Sequence, residues 1–338
     1  GGHWKRVNLV VPGLFQGRSW LSADLKSEDF EKNRYDVVTR CIERGINYID
    51  ACTMQEVIMY AKALKGRRDK MYLGFSWYQK EMRGLSNEWA KAKKAGQSKS
   101  PGWITQKLKE AIDEGLKETG LEYVDVWRIT CHEQSGRHED AEMEEMCAAL
   151  AWAKKTGRAR FTGISSHDRP HIKKWIQQRP DEFDVIVTPY SAKTKMAGVK
   201  KVEAAGEGNS AGYIGKMDDG SWENSLWYAM QKSDVAWFGI KPFASGSMFQ
   251  GDSSPGNPKE EEDNKIARLT IRAILTNPVI TAPIPGMITP EQVDNVAAAV
   301  ALRRALDVQE QAELDAATDR AFANLPHHYQ WLKDWDYV

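Results

Sequence analysis

The chain has 338 residues, 41% of them hydrophobic, which is enough to bury one large α/β barrel or two ordinary domains. Lys+Arg and Asp+Glu both number 47, so the formal charge is zero, and nothing in the balance draws the chain to nucleic acid or to an anionic membrane surface. No apolar run approaches the ~20 residues of a membrane span, so a soluble protein is expected.

Short apolar runs alternate with longer helical stretches along the chain, the pattern of a parallel sheet built from βα units. After an opening strand near 7–11, a helix over 35–44 stops at Gly45 and leads into the strand Ile46–Asp50. A helix closed by the basic run Lys65-Gly66-Arg67-Arg68 precedes the strand Met71–Ser76, and basic residues suit the negative end of a helix dipole. Apolar residues at 104, 108, 112 and 116 and a stop at Gly120 predict a helix over 104–119, followed by the strand Val124–Thr130. A helix over 141–156, stopped by Gly157, precedes the strand Arg160–Ser165. Asp184–Thr188, Ala236–Ile240 and Val279–Ala282 supply the remaining strands.

These runs predict a single (β/α)₈ TIM barrel over 1–338, with no internal domain boundary. Three segments interrupt the rhythm and are read as long loops on the C-terminal face, where barrels build their sites: 80–102, 191–221 and 250–263. The aromatic tail over 323–338, which includes Pro326-His327-His328-Tyr329-Gln330-Trp331, is expected to dock on the barrel, because its rings want burial. The 13 tryptophans are read chiefly as core packing. His138, Glu139 and Asp140 read as a solvated helix start, and His171 as first-turn surface. Cys41, Cys52, Cys131 and Cys147 sit at irregular spacings with no CxxC pair, which argues against a zinc ribbon, an iron–sulfur cluster or a disulfide framework. The opening Gly1-Gly2-His3-Trp4 is compatible with the scar of a removed tag or signal peptide, so cytoplasmic and exported localisations both stay open.

The segments GINYIDA (45–51), ALKGRRDK (63–70), LEYVDVW (121–127), TGRARFTGISSH (156–167), GIKPF (239–243) and IPGMITPEQVDNVAAA (284–299), in that order, make the chain resemble the aldo-keto reductases over nearly its whole length. The resemblance implies a catalytic Tyr that protonates a carbonyl while nicotinamide gives a hydride, a Lys and an Asp that lower the tyrosine's pKa, and a His that orients the substrate. Asp50 matches the Asp. The loop that should carry the Tyr is missing, because Asp50-Ala51-Cys52-Thr53 runs straight into the next helix, and Tyr60 lies too deep in that helix to replace it. Ser76 stands at the Lys position and Thr130 at the His position, with His132 two residues on. On this reading the catalytic candidates are Asp50 and His132.

For the cofactor, the resemblance places Ser165 and Ser166 at the nicotinamide amide. Lys241 and Pro242 fall at the pyrophosphate, and Gly286, Met287, Gln292 and Asn295, with Thr289, at the adenosine end. The basic pair that usually grips a 2′-phosphate is replaced by Gly286 and Gln292, which leaves NAD and NADP both open. The alternative is that these segments persist only because they close the barrel. His132, Glu133 and His167 are the metal candidates, on neighbouring strand ends. Three functions follow: an NAD(P)-linked oxidoreductase with a degenerate catalytic tetrad, a non-redox enzyme on a polar, sugar-like substrate, or an inactive subunit or binding module. The expected partner is accordingly a small-molecule substrate or another protein.

Overall fold

The computed structural model describes residues 10–11, 28–131, 138–194, 225–302 and 304–335. Among these, the strands β1 (Val10–Val11), β2 (Tyr48–Ile49), β3 (Tyr72–Phe75), β4 (Val124–Thr130), β5 (Ala159–Ser165), β6 (Val185–Pro189), β7 (Ala236–Ile240) and β8 (Ala282–Ile284) form one parallel sheet in chain order. The helices between them are α1 (Glu28–Glu43), α2 (Met54–Ala63), α3 (Met82–Lys94), α4 (Trp103–Thr119), α5 (Asp140–Lys155), α6 (Arg169–Gln178), α7 (Leu226–Lys232), α8 (Glu260–Leu275), α9 (Pro290–Leu302) and α10 (Val308–Ala323). Parallel strands joined by crossovers bring all the strand C-termini to one edge. The sheet curls: Tyr48 of β2 stacks on Phe238 of β7 with ring centroids 4.7 Å apart, and residues of β1 and β8 come within 8 Å of each other. No helix of the described residues is long and apolar enough to cross a membrane.

Local chemistry explains most of the boundaries. Gly120 (φ 67°) and Gly157 (φ 76°) end α4 and α5 in the left-handed region that only glycine enters without cost. At the start of α2 a capping box joins Thr53 and Glu56, and Glu56 also accepts the backbone N–H of Cys52 at 2.8 Å, so the chain passes from β2 into helix without a loop. Trp127, Trp175, Trp237 and Trp335 are among the largest fully buried side chains.

Several expectations need correction. The segment 80–102 is not simply a loop, because it contains α3. Its Lys91, Lys93 and Lys94 complement the C-terminal dipole and Leu85 is buried, features hidden by a composition that reads as loop. The segment 250–263 ends as helix, with α8 starting at Glu260. β8 pairs Ala282, Pro283 and Ile284 with β7, later than the apolar run at 279–282, since Asn277 turns the chain by accepting the N–H of Val279 at 2.8 Å. The helix expected over 35–44 begins at Glu28. His138 and His171 are both buried, with ring centroids 6.2 Å apart, where α5 and α6 pack. Most of the expected loop 191–221 lies outside the described residues.

Candidate functional site

The carboxyl edge of the sheet carries a buried polar network centred on Asp50, which follows β2. On a strand, residues two apart share a face. Tyr48 and Asp50 therefore point inward together, as do Arg128 and Thr130 of β4. The guanidinium of Arg128 grips Asp50 in a fork, Nε to Oδ1 at 2.8 Å and Nη2 to Oδ2 at 2.5 Å, and the Tyr48 hydroxyl donates to Oδ1 at 3.0 Å. Arg128 Nη1 donates to the Thr130 hydroxyl at 3.4 Å, Thr130 and Ser76 share a hydroxyl–hydroxyl bond at 2.9 Å, and Ser76 donates to Glu81 at 2.5 Å. Glu81 is fully buried and also accepts from the N–H groups of Trp77 (2.8 Å), Thr130 (2.8 Å) and Trp127 Nε1 (3.2 Å).

The direction of this chain is fixed by its ends. Arginine only donates and an ionised carboxylate only accepts. Ser76 gives its proton to Glu81, so Thr130 gives its own to Ser76 and receives from Arg128. Both hydroxyl hydrogens are thereby committed within the protein. Burial opposes the charge on Arg128, but the charge and hydrogen bonds of Asp50 outweigh it and raise the guanidinium pKa further. Burial, reinforced by the Asp50 charge, pushes the Tyr48 phenol well above its ordinary range. Neither group is poised to release a proton near neutrality. Burial also raises the Glu81 pKa, against the pull of its hydrogen bonds.

Sequence reasoning missed Tyr48, Arg128 and Glu81. A signal existed for two of them, since Tyr48 and Arg128 stand two residues before the inward-facing Asp50 and Thr130. That Arg128 reaches Asp50 across β3 is a matter of the curled sheet alone. Tyr60 is turned away, buried on α2, and its neighbours include Arg34 of α1. His132 and Glu133 lie outside the described residues.

The second part of the edge runs from β5 to β7. Ser165 ends β5 beside Thr130, its register partner. Ser166 is fully buried and its hydroxyl accepts the N–H of Asp168 at 3.0 Å. The ring of His167 stacks on Trp331 at 3.9 Å, and its carbonyl accepts from Trp335 Nε1 at 3.0 Å. Thr194 reaches the carbonyl of Trp335 at 2.8 Å, and the amine of Lys241 lies over the Tyr329 ring. The 3₁₀ stretch His327–Trp335 thus straps the exits of β5, β6 and β7. Burial, with the charges of Lys241 and Arg83, lowers the pKa of His167 well below its usual value. Among the described residues no group of three or more His, Cys, Asp or Glu is placed to hold a metal ion.

Beyond β7 the backbone is strained, with Lys241 (φ 61°), Ala244 (φ 47°) and Ser245 (φ 56°) all left-handed; Pro242 is buried between them. Past this turn a cleft brings together Gly286, Met287, Gln292 and Asn295 with Phe243 and the first turn of α8. The Gln292 carbonyl accepts the N–H of Ile288 at 2.7 Å, and Asn295 accepts from Arg268 at 2.5 Å, so both amides are fixed.

Known proteins share this fold. Residues 21–203 match the model of the aldo/keto reductase family. Among solved structures, an aldo-keto reductase of Bacillus halodurans in its holo form is 18% identical, with a TM-score of 0.55 over 85% of this chain and 87% of that one. A Bombyx mori aldo-keto reductase in complex with NADP is 13% identical, with a TM-score of 0.55 over 94% of both chains. These likenesses concern the fold. A curated relative, L-glyceraldehyde 3-phosphate reductase of Escherichia coli (strain K12), is 38% identical over 71 residues, 21% of this chain. The chain spans about a fifth of that relative's length, 19%.

Proposed function

Since the chain belongs to the aldo/keto reductase family, we propose that it is a closed (β/α)₈ barrel that binds a nicotinamide dinucleotide but reduces ordinary carbonyls weakly or not at all. The aromatic tail belongs to the same single domain, its stretch 327–335 serving as a strap on the mouth. The cleft at Gly286, Met287, Gln292 and Asn295 would take the adenosine half. Lys241 and the strained backbone after it would meet the pyrophosphate, and Ser165 and Ser166 would hold the carboxamide end. Once bound, the reduced nicotinamide supplies a hydride.

The observation that carries the reading is the hydrogen-bond chain from Arg128 through Thr130 and Ser76 to Glu81, together with the Arg128–Asp50 fork. On the resemblance drawn from the sequence it stands where the family keeps its Lys, Asp and His; its two hydroxyl hydrogens are committed to acceptors, and a guanidinium does not protonate a carbonyl oxygen. General acid catalysis contributes typically ~10²–10⁴-fold, and this site forgoes it.

The test is a titration of the intact protein with NADH and NADPH, read by nicotinamide fluorescence, followed by turnover assays on a panel of aldehydes and ketones. Binding of a reduced nicotinamide, with turnover about 10²-fold or more below that of a reductase carrying the complete tetrad, is the expected result. Full turnover overturns the disabled-donor reading. Failure of both nucleotides to bind leaves a small-molecule or protein-binding module instead.

A further inference from the structure

Two carboxylates in the cleft have no part in the function proposed above. Glu260 and Asp263, in the first turn of α8, line it opposite Gly286 and Met287. Their orientation is fixed: Glu260 accepts the N–H of Gly256 at 2.7 Å, and Asp263 accepts those of Gln250 and Gly251, each at 2.8 Å. Among the described residues no lysine, arginine or histidine lines the cleft. The cations nearby are already paired. Arg34 donates to the carbonyls of Met287 and Ile288, both at 3.1 Å, Arg268 is held by Asn295 and Glu261, and Lys259 pairs with Glu262. The positive end of the α8 dipole, which would otherwise attract an anion, already faces Glu260, Glu261, Glu262 and Asp263.

We infer that this cleft selects the dinucleotide whose adenosine ribose carries a free 2′-hydroxyl, NAD(H), against the form that carries a 2′-phosphate, with Glu260 as the acceptor for the ribose. The inference rests on the nicotinamide-binding reading and deepens it. A carboxylate accepts hydrogen bonds from a diol, the solution that dinucleotide folds of another architecture also use. A phosphate beside the two carboxylates meets like charges, with no cation among the described lining residues to offset them. Both oxygens of Asp263 already hold backbone N–H groups, so Glu260 is the freer acceptor of the two.

The experiment is a paired titration of the intact protein with NADH and NADPH at low and high salt. NADH is expected to bind about tenfold or more tightly. The ratio should narrow as salt rises, because screening relieves the carboxylate–phosphate repulsion. In a cleft that grips the phosphate with cations, salt would instead weaken NADPH more than NADH. Glu260→Gln should narrow the ratio, whereas Glu262→Gln, exposed and outside the cleft, should leave it. Equal or tighter NADPH binding overturns the inference while the proposed function stands. Failure of both nucleotides to bind overturns the proposed function and the inference with it.

Discussion

Arg128 holds Asp50 by two parallel bonds across an intervening strand, at 2.8 and 2.5 Å, with both side chains nearly excluded from water. The Asp50 carboxylate is neutralised by a guanidinium that cannot lose its proton. The same pair organises Tyr48 on one side and Thr130 on the other.

Breaking this pair from one side should be costly. Arg128→Met leaves Asp50 buried with only Tyr48 for company and should lose about 3–5 kcal/mol. The double variant Asp50→Leu/Arg128→Met should lose less than Arg128→Met alone, because no unpaired charge remains. Urea denaturation of the variants against the parent checks both statements, and an Arg128→Met protein as stable as the parent would remove the network's structural role.

Gly74 of β3 leaves the room that the Tyr48 hydroxyl occupies. A Cβ at that position would overlap the hydroxyl and lie 3.0 Å from both Tyr48 Cζ and the Ile49 carbonyl. Gly74→Ala should therefore destabilise by about 1–3 kcal/mol, the usual range for overpacking. Adding Tyr48→Phe removes the overlapping oxygen and should recover part of that loss, seen as a partial return of the denaturation midpoint. If the second change adds its own cost with no recovery, the hydroxyl is not the obstacle.

The stacked His167 makes stability depend on pH in a defined direction. Burial, then Lys241 and Arg83, depress its pKa in the folded state well below 6.5. The unfolded chain thus takes up the proton first, so the contribution of this group is complete above about pH 6.5 and is lost as the pH falls from there toward the folded-state value. Trp331→Ala uncovers the ring and should flatten this slope, while costing about 3–5 kcal/mol overall through lost packing. Thermal melts of parent and variant between about pH 8 and 5 give the comparison. Parallel slopes would mean that the stack does not hold the imidazole neutral.

Much of this protein is legible in its sequence because the relevant physics is local. β4 and β7 have the expected limits, α4 and α5 end at their glycines, and Asp50 passes into α2 through a capping box spelled out by Thr53 and Glu56. Other local signals are ambiguous: the lysine-rich composition of α3 reads as a loop, an apolar run precedes β8, and His138 and His171 read as surface but are buried.

What only the tertiary structure decided is which inward-facing residues meet. Arg128 finds Asp50, Ser76 finds both Thr130 and Glu81, and Glu260 and Asp263 face Gly286 and Met287 because a curled parallel sheet brings distant strand ends to one rim. A strand's periodicity tells which way a side chain points but not what it will touch. The distance between two strand ends is set by the closing of the sheet, a property of all the strands together and of no single segment.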